Sequence, residues 1–362
     1  MANELYHKHN VGSVRLKFTL SRSTSDEKES ILNEDLATED DVVLGLYEGF
    51  EKFKKEHQDF NYILSPSFRK EANFYDAKEF SSKKESFESQ VDCLINMLKK
   101  YPFLSTVLKD VDTVGDEKGI YKKSHFEMLK NGMRKLQYYG FKIRSHHGET
   151  FHTLKKGVQA VDNALNIWNI DTLEHGLAIG INPNYYFQRL LQNVTELNNN
   201  SKALDKSSME YREIIDMPWN DRNSTIRDKL IYGERLTTKE LKDFSKIKFH
   251  TAIEIERYQH DILNRIISKN IGVVGLPSSN LKLTTAIPDY KDHPFSWWEK
   301  KGIRLGIGTD NYITLDTDYI REMLIILFSD ANSLKITKLL MLACKENRRA
   351  YISSLLWMMC KK

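Results

Sequence analysis

The chain has 362 residues, 40% hydrophobic and 29% charged, enough to bury one large core, and an α/β barrel commonly occupies a single domain of this size. Lys and Arg total 54 against 50 Asp and Glu, a formal +4, and so small and scattered an excess supplies neither a nucleic-acid stripe nor a polybasic membrane anchor. Cys93, Cys344 and Cys360 lie far apart with no CxxC pair, which suits a reducing compartment and argues against a disulfide framework or a cysteine-type zinc knot.

The start, MANELYHKHN, is polar, with no apolar signal core, and no stretch approaches the apolar length of a membrane span. The expected location is therefore the cytoplasm, with no membrane and no nucleic-acid polymer as partner. Short apolar runs then alternate with helix-period stretches, the pattern of βα units and a parallel sheet. The predicted strands are 14–20, 60–65, 110–114, 141–145, 172–177, 271–276 and 302–308. A predicted helix over 39–57 places Val42, Leu46, Phe50 and Phe53 on one face, behind Thr38 as a cap. A second, over 81–100, aligns Phe87, Val91, Ile95 and Leu98, and a third, over 251–267, aligns Ile255, Tyr258, Ile262 and Ile266. The segment 182–248 is too long for a plain βα connection and reads as an excursion from the barrel. The stretch 339–359 is apolar on more than one helical face, more than a single packing stripe needs. All 362 residues are thus expected to form one barrel domain carrying one inserted segment.

In a parallel barrel, residues at the C-terminal ends of the strands converge on one mouth. Ser145-His146-His147-Gly148-Glu149, Glu174-His175-Gly176 and Gly308-Thr309-Asp310-Asn311 fall at three such ends. Imidazole and carboxylate suit Zn²⁺, which lowers the pKa of bound water, and a glutamate outside the metal shell can shuttle protons. Each residue alone is weak, since a lone strand-end histidine is more often structural and a lone Gly-Thr-Asp is usually a turn whose Asp caps the next helix. Their order and placement together point to a hydrolytic metal site.

His146-His147-Gly148-Glu149 resembles the His-x-Gly-Glu motif of the adenosine/AMP deaminase family. The resemblance implies a zinc-dependent (β/α)8 TIM barrel that hydrolyses the amino group from an adenine nucleoside or nucleotide, releasing ammonia. It implies that His146 is a zinc ligand and that Glu149 protonates purine N1. Glu174-His175-Gly176 is similar to the family's Gly-His-Gly, whose histidine orients and deprotonates water. Gly308-Thr309-Asp310-Asn311 is similar to Ser-Thr-Asp-Asp, which makes Asp310 a zinc ligand and places Asn311 at N7. Asp112-Thr113-Val114-Gly115-Asp116-Glu117 resembles Asp-x-x-Gly-Asp-Glu, which sets Gly115 at N3, and Gly148 belongs to the same substrate-facing set. Leu276-Pro277-Ser278-Ser279-Asn280, with His293-Pro294 downstream, resembles the family's Cys-Pro-x-Ser-Asn strand.

The family's His-x-His on a first barrel strand is the departure. His7-Lys8-His9 offers the pair, yet the strand at 14–20 follows almost at once, and residues 10–13 cannot make the crossover that adjacent parallel strands need. The favoured reading makes 4–10 the end of a helix and leaves the first βα unit out. Either the chain is truncated, or another polypeptide completes the barrel, or the first unit is unusually built. The partners expected are an adenine nucleoside or nucleotide and a further copy of the chain or an N-terminal segment. The insertion, between the family's strands 6 and 7, could cover a 5′ phosphate, with Arg144, His152, Lys155 and Lys156 either as candidate contacts or, the favoured reading, as a solvated helix face. A catalytically inactive assembly subunit, motivated by the missing first-strand ligands, and another metal-dependent amidohydrolase remain as alternatives; Gly148-Glu149-Thr150-Phe151-His152 also resembles deaminase components of anti-phage defence systems, which assemble into large oligomers.

Overall fold

The computed structural model describes residues 1–20, 38–311 and 313–329. Within them, seven strands form one parallel sheet in strict sequence order: β1 (Ser13–Thr19), β2 (Asn61–Arg69), β3 (Asp110–Val114), β4 (Lys142–His147), β5 (Thr172–His175), β6 (Gly272–Gly275) and β7 (Arg304–Ile307). The sheet curls into a half-barrel with helices on its outer face, an incomplete (β/α)8 barrel. Sequential order with parallel pairing requires a crossover between every pair of strands, and helices supply it. All seven predicted strands are present, each within a few residues of its expected bounds. β1 pairs only with β2, and β7 only with β6, among the described residues.

The helices form where local chemistry starts them. α1 (Ala2–His7) precedes β1. α2 (Glu39–Glu56) opens on a capping box in which Thr38 accepts from the Asp41 N–H and Asp41 accepts from the Thr38 N–H. α3 (Lys83–Lys100) is capped by Ser82, and α4 (Lys123–Tyr138) and α5 (Leu154–Asn163) follow β3 and β4. Their inner faces (Phe87 and Leu94 of α3, Phe126 and Met133 of α4, Val158 and Val161 of α5) are fully buried against Leu64, Val111, Ile143 and Leu173 of the strands. Each such side chain contributes about 1.5–3 kcal/mol by leaving water.

Between β5 and β6 the predicted excursion is helical: α6 (Pro183–Asn199), α7 (Met209–Asp216), α8 (Ser224–Tyr232) and α9 (Thr238–Ser268). α9 begins well before residue 251, because Thr237 and Glu240 form a second capping box upstream. Phe244, Ile247, Thr251 and Ile255 then continue one buried stripe through a segment whose other faces are polar. The described residues end with α10 (Pro277–Leu283), α11 (Phe295–Lys300) and, after β7, α12 (Tyr319–Ser329). The apolar stretch 339–359 lies outside the described residues. No helix among those described is long and apolar enough to cross a membrane.

His7 ends α1, with its ring 5.0 Å from that of His57. His9 follows in the turn before β1, its Nδ1 3.8 Å from Asp318 Oδ1. The pair thus occupies a helix end and a turn, as the favoured sequence reading has it, rather than a strand.

Candidate functional site

Three strand ends bring the chemistry together. Ligand atoms of Glu149, just after β4, His175, the last residue of β5, and Asp310, after β7, all lie within 4.8 Å of one another. Ser279 of α10 ties two of them, its hydroxyl 2.6 Å from Asp310 Oδ2 and 3.1 Å from Glu149 Oε1. His175 is fully buried, and its Nδ1 lies 2.7 Å from Asn280 Oδ1 and 3.3 Å from Glu149 Oε1. Asn280 in turn donates its amide to His293 Nε2 at 3.0 Å. That chain places the proton on His175 Nδ1 and leaves the Nε2 lone pair free; Nε2 is buried and has no partner among the described residues. A buried, unpaired imidazole nitrogen costs free energy unless a ligand, metal or water occupies it.

The backbone carries strain at the same points. His175 has φ +65° and Asp310 φ +56°, the left-handed region that non-glycine residues seldom adopt. Such conformations persist only where the surroundings over-determine them.

His146 sits beside this group rather than in it. Its ring centroid is 5.0 Å from that of His175, and its Nδ1 is 3.0 Å from Asp112 Oδ1. Burial lowers the His146 pKa and the Asp112 carboxylate works against that shift; with Asp112 as acceptor, Nδ1 carries a proton. Asp112 belongs to a charge network inside the half-barrel that the sequence reading missed. Lys17 of β1 reaches Asp112 Oδ2 at 2.9 Å and Glu174 Oε2 at 3.2 Å, while Arg144 of β4 holds the other Glu174 oxygen. Burial alone would raise the Asp112 carboxyl, but the charges of His146 and Lys17 outweigh it and hold the group well below the carboxylate range. Burial likewise pushes Lys17 down, and Asp112 and Glu174 more than restore it. The legible signal was alternation: Arg15 and Lys17 interrupt Val14, Leu16 and Phe18 on one face of β1.

The remaining predicted residues are accounted for individually. Gly148 has φ +76°, and the three N–H groups of Gly148, Glu149 and Thr150 all donate to the buried Glu117. Burial raises the Glu117 carboxyl, and Lys70, 3.7 Å away, works against that rise. Lys70 also donates to the His146 carbonyl, so two buried side chains fix the backbone on either side of His147. Gly115 has φ +109°, a backbone conformation that strains any other residue, and a Cβ there would fall 2.2 Å from Glu71 Oε2 and displace that carboxylate. Asn311 is exposed and caps the turn that follows it, its Oδ1 3.3 Å from the Thr314 N–H. Of the candidate phosphate contacts, three have protein partners: Arg144 with Glu174 in the barrel interior, Lys155 with Glu254, and Lys156 with Asp216. That corrects the expectation for Arg144, which the sheet turns inward. A separate cavity of about 570 Å³, bordered by Asn182, Gln259, His293 and Trp297, opens beside the mouth and includes none of Glu149, His175 and Asp310.

The donor set suits a divalent cation with mixed nitrogen and oxygen preference: an unpaired buried imidazole nitrogen, two carboxylates, and a second imidazole whose Nδ1 is already committed to a carboxylate, as ligating histidines usually are.

No protein-family model matches the chain, and no curated protein does either. Solved structures do match in fold. An amidohydrolase from Burkhoderia ambifaria with bound Zn is 12% identical, with a TM-score of 0.53, and the alignment covers 97% of this chain and 67% of that one. The apo N6-methyl-AMP deaminase from Arabidopsis thaliana is 13% identical, TM-score 0.52, covering 99% and 74%. Arabidopsis ADAL complexed with GMP is 14% identical, TM-score 0.51, covering 99% and 74%. The fold of this chain is thus similar to that of these solved amidohydrolase and deaminase structures.

Proposed function

We propose that the chain is a zinc-dependent hydrolase that deaminates an adenine nucleoside or nucleotide to its inosine form, water entering at C6 and ammonia leaving. The observation that carries this is the convergence of Glu149, His175 and Asp310 within 4.8 Å at three strand ends, with His175 Nε2 buried and unpaired. Asp310 and His146 would hold the ion, and His175 and Glu149 stand close enough to add to it or to face it. When bound, Zn²⁺ supplies Lewis-acid chemistry and lowers the pKa of water. His175, with its proton on Nδ1, accepts a proton at Nε2 from the attacking water. Glu149, on a loop gripped by Glu117, delivers a proton to purine N1. Gly115, Gly148 and Asn311 face the base. Arabidopsis ADAL, of like fold and solved in complex with GMP, supports a nucleotide-sized ligand.

The test is direct. The purified chain, supplied with Zn²⁺, is given adenosine, AMP, dAMP and ATP, and ammonia release and the adenine-to-hypoxanthine absorbance change are followed. Turnover of none of the four, with zinc bound, would overturn the reading. A second reading, an assembly subunit whose barrel is completed by a further strand from a partner or another segment, is favoured by the one-sided pairing of β1 and β7 and by the helical placement of His7. Turnover by the chain alone, together with a monomeric mass in light scattering, would exclude it.

A further inference from the structure

The segment from Gly148 to Thr153 carries Glu149 and is held at both ends by carboxylates from elsewhere in the chain. At its start, Glu117 takes three successive N–H groups. At its end, the insertion takes over. Glu213 of α7 accepts the Leu154 N–H at 2.7 Å, the first orphan donor of α5, and the Tyr186 hydroxyl of α6 at 2.7 Å on the same oxygen. One turn further along α7, Asp216 accepts the Thr153 hydroxyl at 2.8 Å, and its other oxygen pairs with Lys156 at 2.8 Å. Glu213 and Thr153 are fully buried or nearly so.

This arrangement is more than general packing. Thr153 already caps α5, accepting from the Lys156 N–H at 3.4 Å, so the helix has a local start signal. A second acceptor brought from some 60 residues away adds a fixed anchor point for an N–H that the helix itself leaves unpaired. α7 sits on an excursion of the chain, and α6 and α9 attach that excursion to the barrel, with Gln259 of α9 donating to the Ala178 and Ile181 carbonyls.

We infer that the insertion is a clamp whose Glu213 and Asp216 set the position of the Glu149 loop, making both positioning residues for the deamination proposed above, on which this inference rests. A general acid held by a loop is effective only within a few tenths of an ångström of its target, and a displacement near 1 Å can cost about 10²-fold in rate. Rigid mounting of the loop at both ends meets that requirement without any clamp residue touching substrate.

The experiment compares Glu213→Leu, Glu213→Gln and Asp216→Asn in the full chain, with two readouts. The first is amide hydrogen exchange over residues 148–154, which needs neither metal nor substrate. Exchange there is expected to rise about fivefold or more in Glu213→Leu, the loss of a buried cap, to rise less in Asp216→Asn, and to stay at the parent value in Glu213→Gln, whose amide oxygen can accept both hydrogen bonds. The second is steady-state kinetics, where kcat should fall about 10- to 100-fold in Glu213→Leu with KM within about twofold, and recover in Glu213→Gln. Unchanged exchange in both Glu213→Leu and Asp216→Asn would overturn the clamp, and so would faster exchange with parental kcat. If Glu213→Leu does not fold, Asp216→Asn alone decides by the same two readouts. A parent chain without deaminase activity would sink the functional reading, leaving exchange to decide the clamp.

Discussion

Asp112 Oδ1 takes the Nδ1 proton of His146 at 3.0 Å while Asp112 Oδ2 takes the ammonium of Lys17 at 2.9 Å. The carboxylate is thus pinned at both oxygens, and the imidazole is left with a single orientation and tautomer. Replacing Lys17 by Met removes one partner of a buried ion pair and leaves Asp112 and Glu174 facing a single cation, Arg144. Unfolding by urea should show a loss of about 3 kcal/mol, and zinc affinity should drop by about 10- to 100-fold. Unaltered zinc affinity in a folded Lys17→Met protein would show that the network serves stability alone.

Glu149→Gln separates metal binding from proton delivery. The amide is isosteric and still reaches Ser279, whose hydroxyl also bonds Asp310. Zinc content and substrate affinity should persist while turnover falls by about 10²-fold or more. Loss of zinc instead would place Glu149 among the ligands, as its position within 4.8 Å of His175 and Asp310 also permits.

Zinc itself should stabilise the fold. A ligand at about 100 times its Kd adds about 2.7 kcal/mol to unfolding, visible as a rise in Tm that chelation reverses. Asp310→Ala should abolish the rise, and His146→Ala should reduce or abolish it. A full rise in His146→Ala would confine the ion to Glu149, His175 and Asp310.

The strands were legible because each is a short apolar run ended by polar or glycine residues, and β3 appeared with its observed limits, 110–114. Catalytic candidates were legible where strand ends carry unusual polar pairs, His146-His147 and Asp310-Asn311. Contacts between distant parts of the chain were not. Lys17 looks like one more surface lysine until β1, β3 and β5 curl round it, and Ser279 joins Glu149 to Asp310 only because α10 packs across the mouth. The early start of α9 was hidden by its polar outer faces, although the Thr237–Glu240 box was available to read. Arg144 was placed with the phosphate contacts because proximity to a motif in sequence does not say which face of a strand a residue occupies.

Glu213 makes the clamp sensitive to pH. Burial raises its carboxyl from an ordinary 4.5 to about 7, so the folded chain retains a proton that the unfolded chain releases. The associated stability is complete below about pH 4.5 and is lost as pH rises through 7, amounting to up to about 3 kcal/mol. In Glu213→Gln this slope between pH 5 and 8 should flatten, and the variant should be more stable than the parent at pH 8. Parallel pH–stability curves for the two proteins would exclude a neutral Glu213.

The left-handed backbone at His175 and Asp310 sets local conformation against side-chain chemistry. Glycine adopts that conformation freely, so at both positions the backbone favours glycine while the side-chain contacts, His175 with Asn280 and Asp310 with Ser279, favour the residue present. His175→Gly and Asp310→Gly should therefore relax the backbone locally even as they empty the site.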